Sequence, residues 1–176
     1  MLTPIIQNGN TVYKCDCCDK VYENIPLCFG AAVPDLYNVI PEEERATRVE
    51  MNKSLCIIDK KYFLHRGLLT IPIIDNDNDN LVFDIWTTIS EKDFERRMEL
   101  WEDPNRVNEP PYCGWLNSYI PTYGNTINIK TIAVEQELGS VPDILVMEEG
   151  HPLAADQRTG ITMDKALDIV SQILHK

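Results

Sequence analysis

Two long stretches rich in β-branched and aromatic residues, Tyr62–Ile74 and Leu81–Ser90, are joined by the polar hexapeptide Asp75–Asn80. Runs of this kind, bounded by residues that favour turns, read as strands, and so short a polar joint makes them a hairpin. Within the second run, Leu81–Ile85 alternates apolar and mixed positions, which gives the strand one buried face. A chain with this centre must build a sheet, and its remaining segments must cover it. Leu55–Ile58 adds a short strand before a turn at Asp59-Lys60-Lys61, and Cys113–Ile120, Ile127–Gln136 and Asp143–Glu148 are expected to add more.

The covering elements are helical. Pro41-Glu42-Glu43-Glu44 suits a first helical turn, since proline needs no N–H there and the glutamates face the positive end of the helix dipole. Ser90 reads as an N-cap with Asp93 three residues on, and Phe94, Met98 and Trp101 form an apolar stripe behind it. Near the C-terminus Pro152–Arg158 is expected to be helical up to Gly160. Thr162 then caps a last helix, in which Met163, Ala166, Leu167, Val170, Ile173 and Leu174 share one face. The expected class is therefore α+β: a mainly antiparallel sheet flanked by helices, forming a single domain over residues 1–176. A short cysteine-containing β segment, residues 11–28, lies within it.

Charge narrows the partners. Sixteen basic against 28 acidic residues give a formal charge of −12, which repels phosphate backbones and anionic lipid. No nucleic acid and no membrane surface is expected as a partner, whereas a basic protein is compatible. The N-terminal residues do not have the pattern of a signal or transit peptide, and the longest apolar run, Leu68–Ile74, is far too short to span a bilayer. Six cysteines in such a chain point to a reducing compartment, so a cytoplasmic location is expected.

Chemistry concentrates in Cys15-Asp16-Cys17-Cys18. Cys15 and Cys18 have the C-x-x-C spacing with which two thiolates reach one tetrahedral zinc ion. A structural site needs four ligands, and no second C-x-x-C follows. Cys56 is the first choice for a further ligand, with Cys17, Cys28 or a distant histidine as alternatives. Asp75, Asp77 and Asp79 match the first positions of a calcium loop, but Asn80 stands where glycine is needed and Trp86 where the bidentate glutamate is needed. Among the histidines, His65 falls within a strand and reads as a satisfied interior residue. His151, before Pro152, lies at a helix start where its ring can stay outside the helix. No nucleophile elbow, P-loop, dinucleotide fingerprint or H-E-x-x-H motif is present.

Several strings, taken in order, carry a resemblance. They are Cys15-x-x-Cys18, Ile25-Pro26-Leu27, Ile40-Pro41-Glu42-Glu43-Glu44-Arg45-x-x-Arg48, Cys56-Ile57-Ile58-Asp59, Phe63-x-x-Arg66-Gly67-x-x-x-Ile71-Pro72, Trp86-x-x-Ile89-Ser90, Gly114-Trp115-Leu116 and the segment His151–Ile161. Together they resemble the bacterial family known as domain of unknown function 2199, from about Tyr13 to the C-terminus. The resemblance implies a single domain and an N-terminal part similar to half a zinc knuckle. The family often carries a histidine a few residues after the second cysteine, where this chain reads Tyr22-Glu23-Asn24. It supplies no reaction. Two functions are compatible with the residues. One is an acidic protein-binding module that recognises a basic partner such as a nuclease toxin, with a structural zinc. The other is a small enzyme or ligand-binding protein with a pocket near His151, Arg66 and Trp115; Gln157 joins these as a candidate partner-binding residue.

Overall fold

The computed structural model describes residues 2–76 and 79–175. Asp77 and Asn78, part of the expected hairpin loop and of the calcium-loop match, lie outside the described residues. The strands are β1 (Leu2–Gln7), β2 (Asn10–Cys15), β3 (Val21–Tyr22), β4 (Cys28–Gly30), β5 (Val49–Met51), β6 (Leu55–Ile58), β7 (Tyr62–Pro72), β8 (Asn80–Ile89), β9 (Tyr112–Trp115), β10 (Lys130–Val134) and β11 (Asp143–Val146). The helices are α1 (Asp35–Asn38), α2 (Glu42–Arg48), α3 (Glu91–Glu99), α4 (Pro152–Thr159) and α5 (Met163–Leu174).

The β7–β8 hairpin is the centre, in register from Phe63↔Ile89 to Pro72↔Asn80. Each outer edge of this hairpin is divided between two partners. Beside β7 lie β6, antiparallel, and then β11, parallel at Asp143↔Leu68. Beside β8 lies β4, parallel through Cys28↔Val82, and farther along the residues after β9, through the Thr87↔Leu116 bridge. Strands β10 and β9 extend the sheet beyond β11, so the order is β4-β8-β7-β11-β10-β9 and most pairings are antiparallel. Strands β1, β2 and β3 form a separate small sheet. The main core joins both sheets, since Leu2 and Cys15 pack in one cluster with Leu69, Ile71, Phe83, Leu116 and the α5 residues Leu167 and Val170. A second cluster, with Leu36 of α1 packed against it, gathers Ile40, Cys56, Ile58, Leu64 and Trp86.

The capping expectations are met at atomic detail. The Ser90 hydroxyl accepts from the Asp93 N–H at 3.1 Å, and the Thr162 hydroxyl accepts from Lys165 N–H at 3.3 Å. Pro41 stands one position earlier than expected, as the N-cap of α2. The apolar stripe of α3 needs correction. Phe94 is buried, but Met98 and Trp101 are 45% and 36% exposed, and the other buried residue of α3 is Arg97. An internal carboxylate accounts for that exchange. Strand β1 joins β2 through Asn8 and Gly9 (φ 53° and 83°), the turn pair that a tight hairpin demands.

His65, on β7 and 1% exposed, is held neutral because burial, and then the nearby Arg97 charge, push its pKa well below 6.5. Its ordinary unfolded value is 6.5. Below that pH the unfolded chain therefore binds the extra proton, and stability falls as pH falls towards the depressed folded value. Wild type should lose about 1.4 kcal/mol more per pH unit than His65→Leu between pH 6 and 5, as measured by denaturant unfolding. Parallel pH profiles for the two proteins would refute this.

Candidate metal centre and the sequence-predicted surface

Strand β2 ends at Cys15, and the chain then turns sharply towards β3. The turn is closed by Cys15 N–H donating to Lys20 O at 2.8 Å and Asp19 N–H donating to Cys15 O at 3.1 Å. Asp19 takes a positive φ of 55°, and Lys14 clamps its carboxylate at 2.7 Å. Cys17 and Cys18 thus sit on an exposed loop directly over the buried Cys15. The other side comes from the far end of the chain. Helix α5 buries Ala166, Leu167, Ile169 and Val170, packs against β1, and delivers His175 at its C-terminus to this loop.

The result is a four-donor cluster. Cys15 Sγ lies 3.0 Å from Cys17 Sγ and 2.9 Å from His175 Nε2, and one donor atom from each of Cys15, Cys17, Cys18 and His175 lies within 4.8 Å of the others. The Cys17 N–H also donates to Cys15 Sγ at 3.4 Å. Hydrogen bonding from the Cys17 thiol and then from its backbone lowers the Cys15 thiol to about 6, while the same contact with Cys15 raises Cys17 to about 11. The contact thus favours the thiolate at Cys15 over that at Cys17. These four residues are close enough to hold a metal ion.

Cys18 and Cys15 come together as the spacing predicts. Cys56 does not join them. It is fully buried on β6 in the second core cluster, among Ile40, Ile58 and Trp86, where burial pushes its thiol up to about 11. A thiol in such apolar surroundings is a packing residue. Cys17 and His175, a histidine 160 positions from Cys15, complete the four-donor cluster instead. The six cysteines are all without disulfide partners.

The residues proposed from sequence for partner or ligand contact are scattered. Arg66 is occupied: it pairs with Asp84 at 3.0 Å, donates to the Ala31 and Ala32 carbonyls, and stacks on Trp86. Gln157 fastens α4 to β11, accepting from Val146 N–H at 2.8 Å and donating to Ile144 O at 2.7 Å. His151 caps α4, its Nδ1 accepting from Leu153 N–H at 3.2 Å. His151 and Gln157 do line a common groove with Leu145, Met147 and Glu148, but Arg66 and Trp115 are not among its lining residues. Among the described residues, this groove therefore does not unite His151 with Arg66 and Trp115.

Trp115 belongs instead to an open sheet face. Across β9, β10 and β11, Trp115 stands opposite Lys130, whose carbonyl accepts from Met147 N–H, and Ile132 stands between Cys113 and Leu145. Alternate residues Gly114, Thr131 and Val146 point to the core, so this row points out, leaving Trp115 50%, Leu145 41% and Met147 51% exposed.

The family model described as "Uncharacterized protein conserved in bacteria (DUF2199)" matches residues 14–161. No curated protein and no solved structure matches the chain. Among the described residues, no helix is long and apolar enough to cross a membrane.

Proposed function

Because the chain belongs to the DUF2199 family of uncharacterised bacterial proteins, whose model covers residues 14–161, we propose a reading built on its own side chains: a protein-binding module closed by a structural zinc ion. The four-donor cluster carries the metal half of this reading. Three cysteines and one histidine are a set that structural zinc sites use, and a tetrahedron with ordinary zinc–sulfur and zinc–nitrogen bonds has edges of about 3.6–3.8 Å. The donor atoms here, all within 4.8 Å of one another, need only small adjustments to meet it. Cys15, Cys17, Cys18 and His175 would hold the ion, and with four protein ligands no position is left for a substrate. The ion would supply a cross-link between the small sheet and the C-terminus of α5. Thiolate ligands of this kind persist in a reducing compartment, which supports a cytoplasmic location. Elemental analysis of protein purified without chelator is expected to find about one zinc per chain. Less than about a tenth of that in folded protein would end the metal reading.

The binding half rests on the open face of β9, β10 and β11. An uncovered apolar row on a monomer is a recurrent mark of an interaction site. Glu148 and Glu149 flank it, and a chain of net charge −12 favours a basic partner over an acidic one. Capture from the bacterial host, followed by mass spectrometry, should retain a basic protein on wild type. The double variant Trp115→Ala, Met147→Lys should lose it at least about tenfold, because buried aromatic anchors dominate interface energy. Its unfolding midpoint should stay within about 2 °C of wild type, since both residues already face solvent. Equal retention by the two proteins would remove this face as the docking surface.

A further inference from the structure

A second polar cluster lies away from the cysteines and the open face. Arg97 of α3 and Arg106, in the 3-10 turn Pro104–Asn108, converge on Glu135, just after β10. Arg97 Nε donates to one carboxylate oxygen; Arg106 donates to the other through Nε, at 2.9 Å, and through Nη2. The three side chains are 2%, 5% and 1% exposed. Two guanidiniums share one carboxylate, so one positive charge has no ion-pair partner of its own among the described residues. An unpaired interior charge is among the costliest things a fold can hold, so its retention needs a reason.

The geometry around the cluster supplies one. Arg97 Nη1 is buried and has no hydrogen-bond partner among the described residues. Arg97 and Arg106 both line a cavity of about 120 Å³, together with Trp101, Ser54 and Ser140. The Trp101 ring lies beside both cations, with guanidinium carbons 5.5 and 5.9 Å from its centroid. Glu135 occupies donors from each arginine but cannot occupy all ten N–H groups that two guanidiniums present. We propose that this cavity is a binding site for a small oxyanion, a carboxylate or phosphate group, held by Arg97 and Arg106 with Trp101 as its apolar wall. Guanidinium forks match such groups, and the cavity is of a size for one of them. The overall negative charge does not oppose this strongly, because distant surface charges are screened within about 8 Å at physiological salt. Burial works against the Arg97 charge and Glu135 only partly restores it, so a second anion has something to add.

The test uses the full chain, titrated with inorganic phosphate and separately with acetate, each against sodium chloride of matched ionic strength. Calorimetry and the unfolding midpoint are followed. Saturable binding to at least one of the anions with a dissociation constant of about 1 mM or tighter is expected. Arg97→Met, which removes the surplus charge and keeps the bulk, should weaken it at least about tenfold. Ser140→Glu, at an exposed position on the cavity wall, should abolish it by placing a tethered carboxylate in competition, and that variant keeps Arg97, Arg106 and Glu135 should Arg97→Met fold poorly. The relative strength of phosphate and acetate tells which oxyanion the site prefers. No saturable response to either anion at about 50 mM overturns the proposal, and so does binding that survives Ser140→Glu undiminished.

Discussion

Removing zinc with a chelator, or replacing Cys15 with serine, should lower the unfolding midpoint by about 10 °C or more. The argument runs from the ligand set to the fold. Cys15 ends β2, and its buried sulfur belongs to the main core, while His175 ends α5. A metal bound by both would tie the first sheet of the chain to its last helix, so its binding free energy would be part of the folding free energy. Structural zinc contributes roughly 10–16 kcal/mol of apparent binding free energy in isolated finger peptides. Even a third of that, at ~2–4 °C per kcal/mol for a chain of this size, gives the stated shift. His175→Ala should reproduce much of the loss, and limited proteolysis of the stripped protein should cut first near the β2–β3 turn or the end of α5. Cys56→Ala serves as the contrast. It should cost stability by opening a cavity but leave zinc content unchanged, because its sulfur packs in the other cluster. A stripped protein that melts with the wild type would show that the cluster needs no ion.

Gly114→Ala should be the most damaging single-methyl change in the sheet, costing about 4 kcal/mol or more or preventing folding altogether. A Cβ at 114 would sit 1.8 Å from the Thr88 carbonyl oxygen, with the carbonyl carbon at 2.9 Å. Backbone cannot swing aside as a side chain can, so β9 would have to part from β8. Three interactions would go with it: Trp115 N–H to Thr88 Oγ1 at 3.0 Å, Asn117 N–H to Trp86 O at 2.8 Å, and the Thr87↔Leu116 bridge. Gly139→Ala is the control. Gly139 has φ of 88° but nothing within 4 Å of an added Cβ, so only the backbone strain of about 1–2 kcal/mol is expected. Denaturant unfolding of both variants separates close approach from conformational preference. Equal losses in the two would refute the crowding argument.

The sequence by itself determined the parts whose cause is local. The β7–β8 hairpin follows from two β-rich runs with a polar joint, and alternation along Leu81–Ile85 gave its buried face. Ser90 and Thr162 cap α3 and α5 because the groups that satisfy those helix ends lie three residues away. Cys15 and Cys18 are neighbours for the same reason, and the motif strings carried the family resemblance that the family match bears out. The tertiary structure decided what depends on contacts between distant segments. His175 reaches Cys15 only because α5 buries its apolar face beside β1, and no spacing rule links positions 160 apart. Cys56 offered the same atom type but was claimed by the packing of β6. Helical periodicity could not reveal that α3 turns Arg97 inward, because the carboxylate that receives it, Glu135, lies 38 residues on. Gln157 reads as a candidate partner-binding residue until β11 offers it one N–H and one carbonyl. A local rule sees the few residues that one turn or pleat brings together. The four-donor cluster, the buried arginines and the tight passage at Gly114 were fixed by which elements pack side by side.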